Sequence, residues 1–84
     1  MTDNTSDPLI PVFIPALILL LVHQQKKIGR PLTKHEVLYI RDNGVSIMMK
    51  TSHATAIDKK RGYSDLDPNL CWEQWCEYIS NNPI

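Results

Sequence analysis

Near the start of the chain, a short polar segment is followed by an uninterrupted apolar run over residues 8–22. Within it, residues 16–22 carry no polar side chain. Pro15 suits the first turn of a helix, because proline lacks an N–H that this turn leaves unpaired. Gly29 is typical of a helix C-terminus. The pattern predicts a first helix over residues 12–28.

A second helix is predicted to begin after Thr33. Thr33 and Glu36 have the spacing of a capping box, in which each side chain bonds to the backbone N–H of the other residue. Apolar residues continue at helical spacing from Val37, and Gly62 follows three basic residues as a favourable terminus. These signals predict one long helix over residues 34–61.

The middle of this segment is also compatible with a β-hairpin. Asn43-Gly44 is a strong hairpin signal, and it separates two apolar segments, residues 37–40 and 45–48. We favour the helix because the capping box lies only one turn earlier, and because a lone two-stranded hairpin is marginally stable. A glycine inside a helix costs about 1 kcal/mol relative to alanine. Gly44 must then allow a close helix contact or mark a kink.

A third helix is predicted over residues 68–80. Asp67 and Pro68 suit its N-cap and its first position. Apolar side chains at helical spacing form one stripe along it. The stripe consists of Trp72, Trp75, Cys76 and Ile79.

The expected fold is all-α: a small three-helix bundle in a single domain, residues 1–84, with a disordered N-terminal tail over residues 1–7. A short chain has little interior in which to cover a helix that is apolar all round. We therefore expect the bundle to be completed by dimerisation, so that the protein is a homo-oligomer. The predicted interface residues are Leu17, Leu19, Leu20, Leu21, Trp72 and Trp75.

A membrane anchor is the alternative use of the first helix. A membrane-spanning helix needs about 20 apolar residues, and this run is shorter and contains three prolines. A secretory signal peptide fits poorly, because Asp3 and Asp7 stand where basic residues are expected. Membrane association stays possible but is not favoured.

The charge balance does not favour nucleic-acid binding. Nine basic and nine acidic residues give a net charge of zero, whereas nucleic-acid-binding domains are normally basic. The main basic cluster, Lys59-Lys60-Arg61, is also explained by its place at a helix C-terminus. A helical nucleic-acid-binding regulator remains an alternative function.

The residues that could perform chemistry are scattered. The three histidines and two cysteines lack the paired spacing of zinc ligands. Cys71 could be activated at a helix N-terminus, but the nearby Glu73 opposes a thiolate. Cys71 and Cys76 point in different directions on a helix and cannot form a disulfide with each other, which indicates a reducing, cytoplasmic location.

We therefore expect no catalytic, cofactor-binding or metal-binding residues. So short a chain leaves little room for a pocket beside a core, and we expect that the protein is not an enzyme. The expected function is a small interaction or regulatory protein that acts through a helical protein–protein interface with itself or a partner protein.

Overall fold

The computed structural model describes residues 7–83, which form four α-helices and a two-stranded antiparallel sheet. A short 3₁₀ turn, Pro68–Leu70, precedes the last helix. In chain order the elements are β1 (Leu9–Phe13), α1 (Leu17–Ile28), α2 (Lys34–Asn43), β2 (Ser46–Lys50), α3 (Thr51–Arg61) and α4 (Cys71–Asn81).

The expected all-α three-helix bundle is wrong, because part of the apolar run is a strand. β1 pairs with β2 in a register that places Leu9 opposite Lys50 and Phe13 opposite Ser46. The helix predicted over residues 12–28 therefore begins only at Leu17. The long helix predicted over residues 34–61 is divided by β2 into α2 and α3. Isoleucine, valine and phenylalanine favour strands once a partner strand is available.

The hairpin alternative is also wrong in its pairing. Residues 37–40 lie in α2, and β2 pairs with β1 instead. Gly44 has a φ of −74°, so it is not a left-handed hairpin turn. Its importance is steric: a Cβ at this position would lie 2.9 Å from Cε2 of the Phe13 ring. Gly44 allows the close contact expected of it, but with a strand residue rather than with a helix.

The predicted helix-capping signals are confirmed. The N–H of Thr33 donates to Glu36 Oε1 at 2.9 Å, and the N–H of Glu36 donates to Thr33 Oγ1 at 3.2 Å. Gly29 and Gly62 follow α1 and α3 in the left-handed conformation, with φ of 82° and 80°. These signals act within a few residues, so the packing around them does not change them.

The helix predicted over residues 68–80 is present but starts later. Asp67 caps the 3₁₀ turn by accepting a hydrogen bond from the N–H of Asn69 at 2.9 Å, and α4 follows from Cys71. Cys71 and Trp75 are buried and Trp72 is half-buried, but Cys76 is exposed. The buried stripe is therefore rotated towards Cys71 relative to the predicted one.

The core lies where α1 meets α2 and α4. Leu17 and Leu21 of α1 and Val37 of α2 are completely buried, and Trp75 of α4 packs in the same cluster with 2% of its surface exposed. Phe13 joins the same cluster from β1. Residues of β1, α2 and α4 thus cover one face of the apolar helix α1.

Two expectations concern the start of the chain and the membrane. Residues 1–6 of the predicted disordered tail lie outside the described residues. Asp7 is described, and its carboxylate accepts hydrogen bonds from the N–H and the hydroxyl of Ser52 at 2.9 and 2.8 Å. These bonds lower the pKa of Asp7.

Between residues 7 and 83, none of the helices combines the length and the hydropathy that crossing a membrane requires.

Candidate protein-interaction surface

A groove of about 560 Å³ runs between α1 and α2. Side chains four residues apart lie on one face of a helix, and one such stripe from each helix lines the groove. Pro15 and Val45 also line the groove. The two stripes are Leu20, Gln24 and Ile28 on α1 and His35, Tyr39 and Asn43 on α2.

These stripes lie beside the faces that the two helices bury in the core. Leu21 is buried, and the adjacent Leu20 is half-buried in the groove. On α2, Val37 is buried, whereas Tyr39 is 63% exposed. The groove is therefore the part of the helix–helix surface that the core does not use, and it combines apolar side chains with two amides and an imidazole.

The apolar surface continues from the groove onto the sheet. Val45 is 67% exposed, and its carbonyl accepts a hydrogen bond from the N–H of Ile14 at 3.0 Å. Ile47 is half exposed and lies on the same face as Val45, because side chains of a strand alternate. Large exposed apolar patches of this kind mark interaction sites.

The opposite face of the sheet is apolar as well. Leu9 and Met48 are 59% and 57% exposed, and the exposed Pro11 lies directly opposite Met48. A two-stranded sheet is usually covered on at least one face to be stable. Here both faces present apolar side chains, so residues 7–83 leave part of the contact surface of the sheet uncovered.

The charged group on the groove is compensated. Glu36 lines the groove and accepts two hydrogen bonds from the Arg30 guanidinium, at 2.8 and 2.7 Å. Arg30, together with the N–H of Thr33, lowers the pKa of Glu36 to about 2. The carboxylate is therefore ionised and paired at neutral pH, and it does not present an uncompensated charge to a ligand.

The six predicted interface residues lie in different places. Leu17, Leu21 and Trp75 come together inside the core, where they are at most 2% exposed. Leu20 lines the groove, and Leu19 is half exposed on α1. Self-association through α1 stays a prediction, and Leu19 and Leu20 are the leucines accessible for it.

The remaining predicted residue, Trp72, lies away from the groove. It is half-buried and lines a smaller cleft of about 270 Å³, beside Leu32 and Ile79. Its separation from Leu20 divides the predicted interface between two surfaces of the chain.

Cys71 has the environment of a structural thiol. It begins α4, as expected of an activated cysteine, but it is only 1% exposed. This burial raises the pKa of the thiol, although Arg41 acts in the opposite direction. A raised pKa reduces the fraction of nucleophilic thiolate. Across residues 7–83, no three histidine, cysteine or acidic side chains are grouped as metal ligands would be.

The basic cluster at the end of α3 does not form one surface. Lys59 and Lys60 are exposed, but Arg61 turns inwards and donates from Nη2 to the carbonyl of Phe13 at 2.9 Å. The guanidinium of Arg61 therefore serves the fold, and only two lysines of the cluster are presented to solvent.

The sequence interpretation missed the most exposed apolar residues, among them Tyr39, Val45 and Met48. The sequence does contain a signal for the strand residues, since the pattern of residues 45–48 is compatible with a strand. The pattern of their partner, residues 9–13, instead predicts the start of a helix and the residues that lead into it. No family model, curated protein or solved structure matches the chain.

Proposed function

We propose that this protein is a small non-enzymatic interaction module that binds an amphipathic helical segment of a partner protein in the groove between α1 and α2. The observation that carries the proposal is the pair of facing stripes, one on each helix. Helix-in-groove binding uses an apolar helix face laid against such a surface.

The dimensions of the groove fit a short helix. Leu20 and Ile28 are eight residues apart on α1, which corresponds to about 12 Å along the helix axis. A partner helix of two to three turns would place apolar side chains at positions i, i+4 and i+7 against this length. Gln24 and Asn43 would bond to its flanking polar groups.

The exposure of the lining residues favours a protein over a small molecule. Small-molecule sites enclose most of the ligand surface. Tyr39 and Val45, in contrast, are more than 60% exposed and enclose little. Because Glu36 is already paired with Arg30, the groove favours a partner surface that is apolar and uncharged at its centre.

Two free thiols are consistent with a protein that acts in a reducing compartment such as the cytoplasm. Cys71 is buried and Cys76 is exposed, and neither forms a disulfide. Exposed thiols are uncommon in oxidising compartments, where they react.

The proposal is tested by photo-crosslinking from position 39 in cells of the source organism. We expect a crosslinked partner whose attached peptide is an amphipathic helix, and a synthetic copy of that peptide should bind the purified protein and gain helicity. Tyr39→Glu and Leu20→Glu should abolish this binding.

The matched control is Leu70→Glu, since Leu70 is 49% exposed but does not line the groove. Binding should persist in this variant, and circular dichroism should show that all three variants are folded. Crosslinks only to another copy of the chain, or equal loss of binding in the control, would contradict the proposal.

A further inference from the structure

The two strands leave different backbone groups for further pairing. The N–H of Ile14 donates to the carbonyl of Val45, and the N–H of Thr51 donates to the carbonyl of Pro8. In an antiparallel pair, hydrogen-bonded positions alternate with positions whose backbone groups face outwards. The outward positions are therefore Leu9, Pro11 and Phe13 on β1, and Ser46, Met48 and Lys50 on β2.

The outer edge of β1 is blocked. Pro11 occupies an outward position and has no N–H to donate. The outward carbonyl of Phe13 already accepts a hydrogen bond from Arg61 of α3. Proline and an inward-turned basic side chain are devices by which proteins protect strand edges.

The outer edge of β2 is open at Ser46 and Met48 and at the N–H of Lys50, whereas the carbonyl of Lys50 accepts the first hydrogen bond of α3 as its N-cap. Within residues 7–83 the ladder hydrogen bonds of β2 run to β1, and four of the five β2 residues are exposed. Its sequence, Ser-Ile-Met-Met-Lys, contains a single charge. An exposed apolar edge with unpaired N–H and C=O groups is a template for another strand.

We propose that β2 pairs antiparallel with β2 of a second copy, which joins the two sheets into one of four strands. The five residues overlap completely when Met48 lies opposite Met48 of the second copy. Ser46 then faces Lys50, and Ile47 faces Met49, so apolar side chains meet each other and the two lysines stay apart.

The second copy fits this edge because the strand is complementary to itself. Each molecule has one open and one blocked edge, so pairing about a two-fold axis closes after two copies. Sheets of three or more strands are also more stable than a two-stranded one. The proposal does not depend on the groove between α1 and α2, and Tyr39→Glu should leave the dimer intact.

The first test is the oligomeric state of the full chain at micromolar concentration. Sedimentation should give a dimer for the natural protein and a monomer for Met48→Pro. The N–H of Met48 faces away from β1, so proline removes an outward donor without breaking the ladder within the chain. A monomeric natural protein would overturn the proposal, as would pairing of the edge with residues 1–6 of the same chain.

Charge at position 46 provides a matched pair of variants that keep the backbone unchanged. Ser46→Lys places lysines opposite each other twice in the dimer, whereas Ser46→Glu places a carboxylate opposite each Lys50. We expect the dissociation constant to rise about 2- to 30-fold for lysine and to fall for glutamate at low salt. Equal effects of the two variants would overturn the proposed register.

The register also predicts one short distance. Ile47 and Met49 of the second copy form a pair without hydrogen bonds, in which the Cα atoms are about 4.5 Å apart. A sample that mixes labelled and unlabelled chains should show an intermolecular Hα–Hα contact between them. A dimer that lacks this contact would show that the copies associate through another surface.

Discussion

The carboxylate of Asp65 accepts a hydrogen bond from the backbone N–H of Leu17 at 2.6 Å, although the two residues are 48 positions apart. Its second oxygen accepts from the N–H of Ile18 at 2.9 Å. The N-cap residue of α1, Ala16, has no side chain that could cap the helix. The linker between α3 and α4 therefore supplies the missing cap and fixes the start of α1.

Asp65→Ala should lower the free energy of unfolding by about 1–2 kcal/mol, because two N–H groups at the start of α1 lose their acceptor. Urea denaturation measures this change. Asp67→Ala is the control, since Asp67 caps only the short 3₁₀ turn. Equal or larger destabilisation by Asp67→Ala would contradict the special role of Asp65.

Gly44→Ala should destabilise the protein by about 1–3 kcal/mol, because the added methyl group overlaps the buried Phe13 ring. The conformation of Gly44 is accessible to alanine, so the cost is one of packing. A double-mutant cycle with Phe13→Leu tests this explanation. The double variant should lose less stability than the sum of the single variants, and strict additivity would exclude the contact as the cause.

Trp75→Ala should have the largest effect of any substitution in α4. Trp75 is 2% exposed and stacks on Tyr78 with ring centroids 5.8 Å apart. Truncating a buried aromatic residue costs about 3–5 kcal/mol, which is much of the stability of a small domain. The half-buried Trp72 provides the comparison, and Trp72→Ala should be milder. An unchanged urea midpoint for Trp75→Ala would show that α4 is not held by this residue.

The salt bridge between Arg30 and Glu36 should make stability depend on acid pH. The pKa of Glu36 is lowered from 4.5 to about 2 in the folded protein. Stability from this group is therefore present above pH 4.5 and is lost as the pH falls towards 2. Urea midpoints between pH 6 and pH 2 should fall less steeply in Glu36→Gln than in the natural protein.

Glu73→Gln is the control for this pH dependence, because Glu73 forms no salt bridge within residues 7–83. Its profile should follow that of the natural protein. If Glu36→Gln and Glu73→Gln give the same profile, then the pairing of Glu36 with Arg30 does not contribute to the acid sensitivity.

The features that could be predicted from the sequence are those set by neighbouring residues. The capping box of Thr33 and Glu36 depends on residues three positions apart, and the left-handed Gly29 depends on the helix that it ends. Packing elsewhere cannot easily override such local hydrogen bonds. The helix that carries Trp72 and Trp75 was predictable for the same reason, since its apolar stripe lies within a few turns.

The features that could not be predicted depend on distant residues. A short apolar segment such as residues 9–13 is compatible with a helix or a strand, and only its partner decides between them. That partner, Ser46–Lys50, lies more than thirty residues later. The same holds for the groove, because the exposure of Tyr39 depends on which face of α2 packs against α1.

Arg61 has a consequence for solubility. Its hydrogen bond to the carbonyl of Phe13, together with the missing N–H of Pro11, keeps the outer edge of β1 from pairing with another strand. A protein whose sheet has two edges free to pair can add another copy at each edge and grow into fibres. We therefore expect substitutions of Arg61, the C-terminal residue of α3, to weaken this protection of the β1 edge and to favour aggregation.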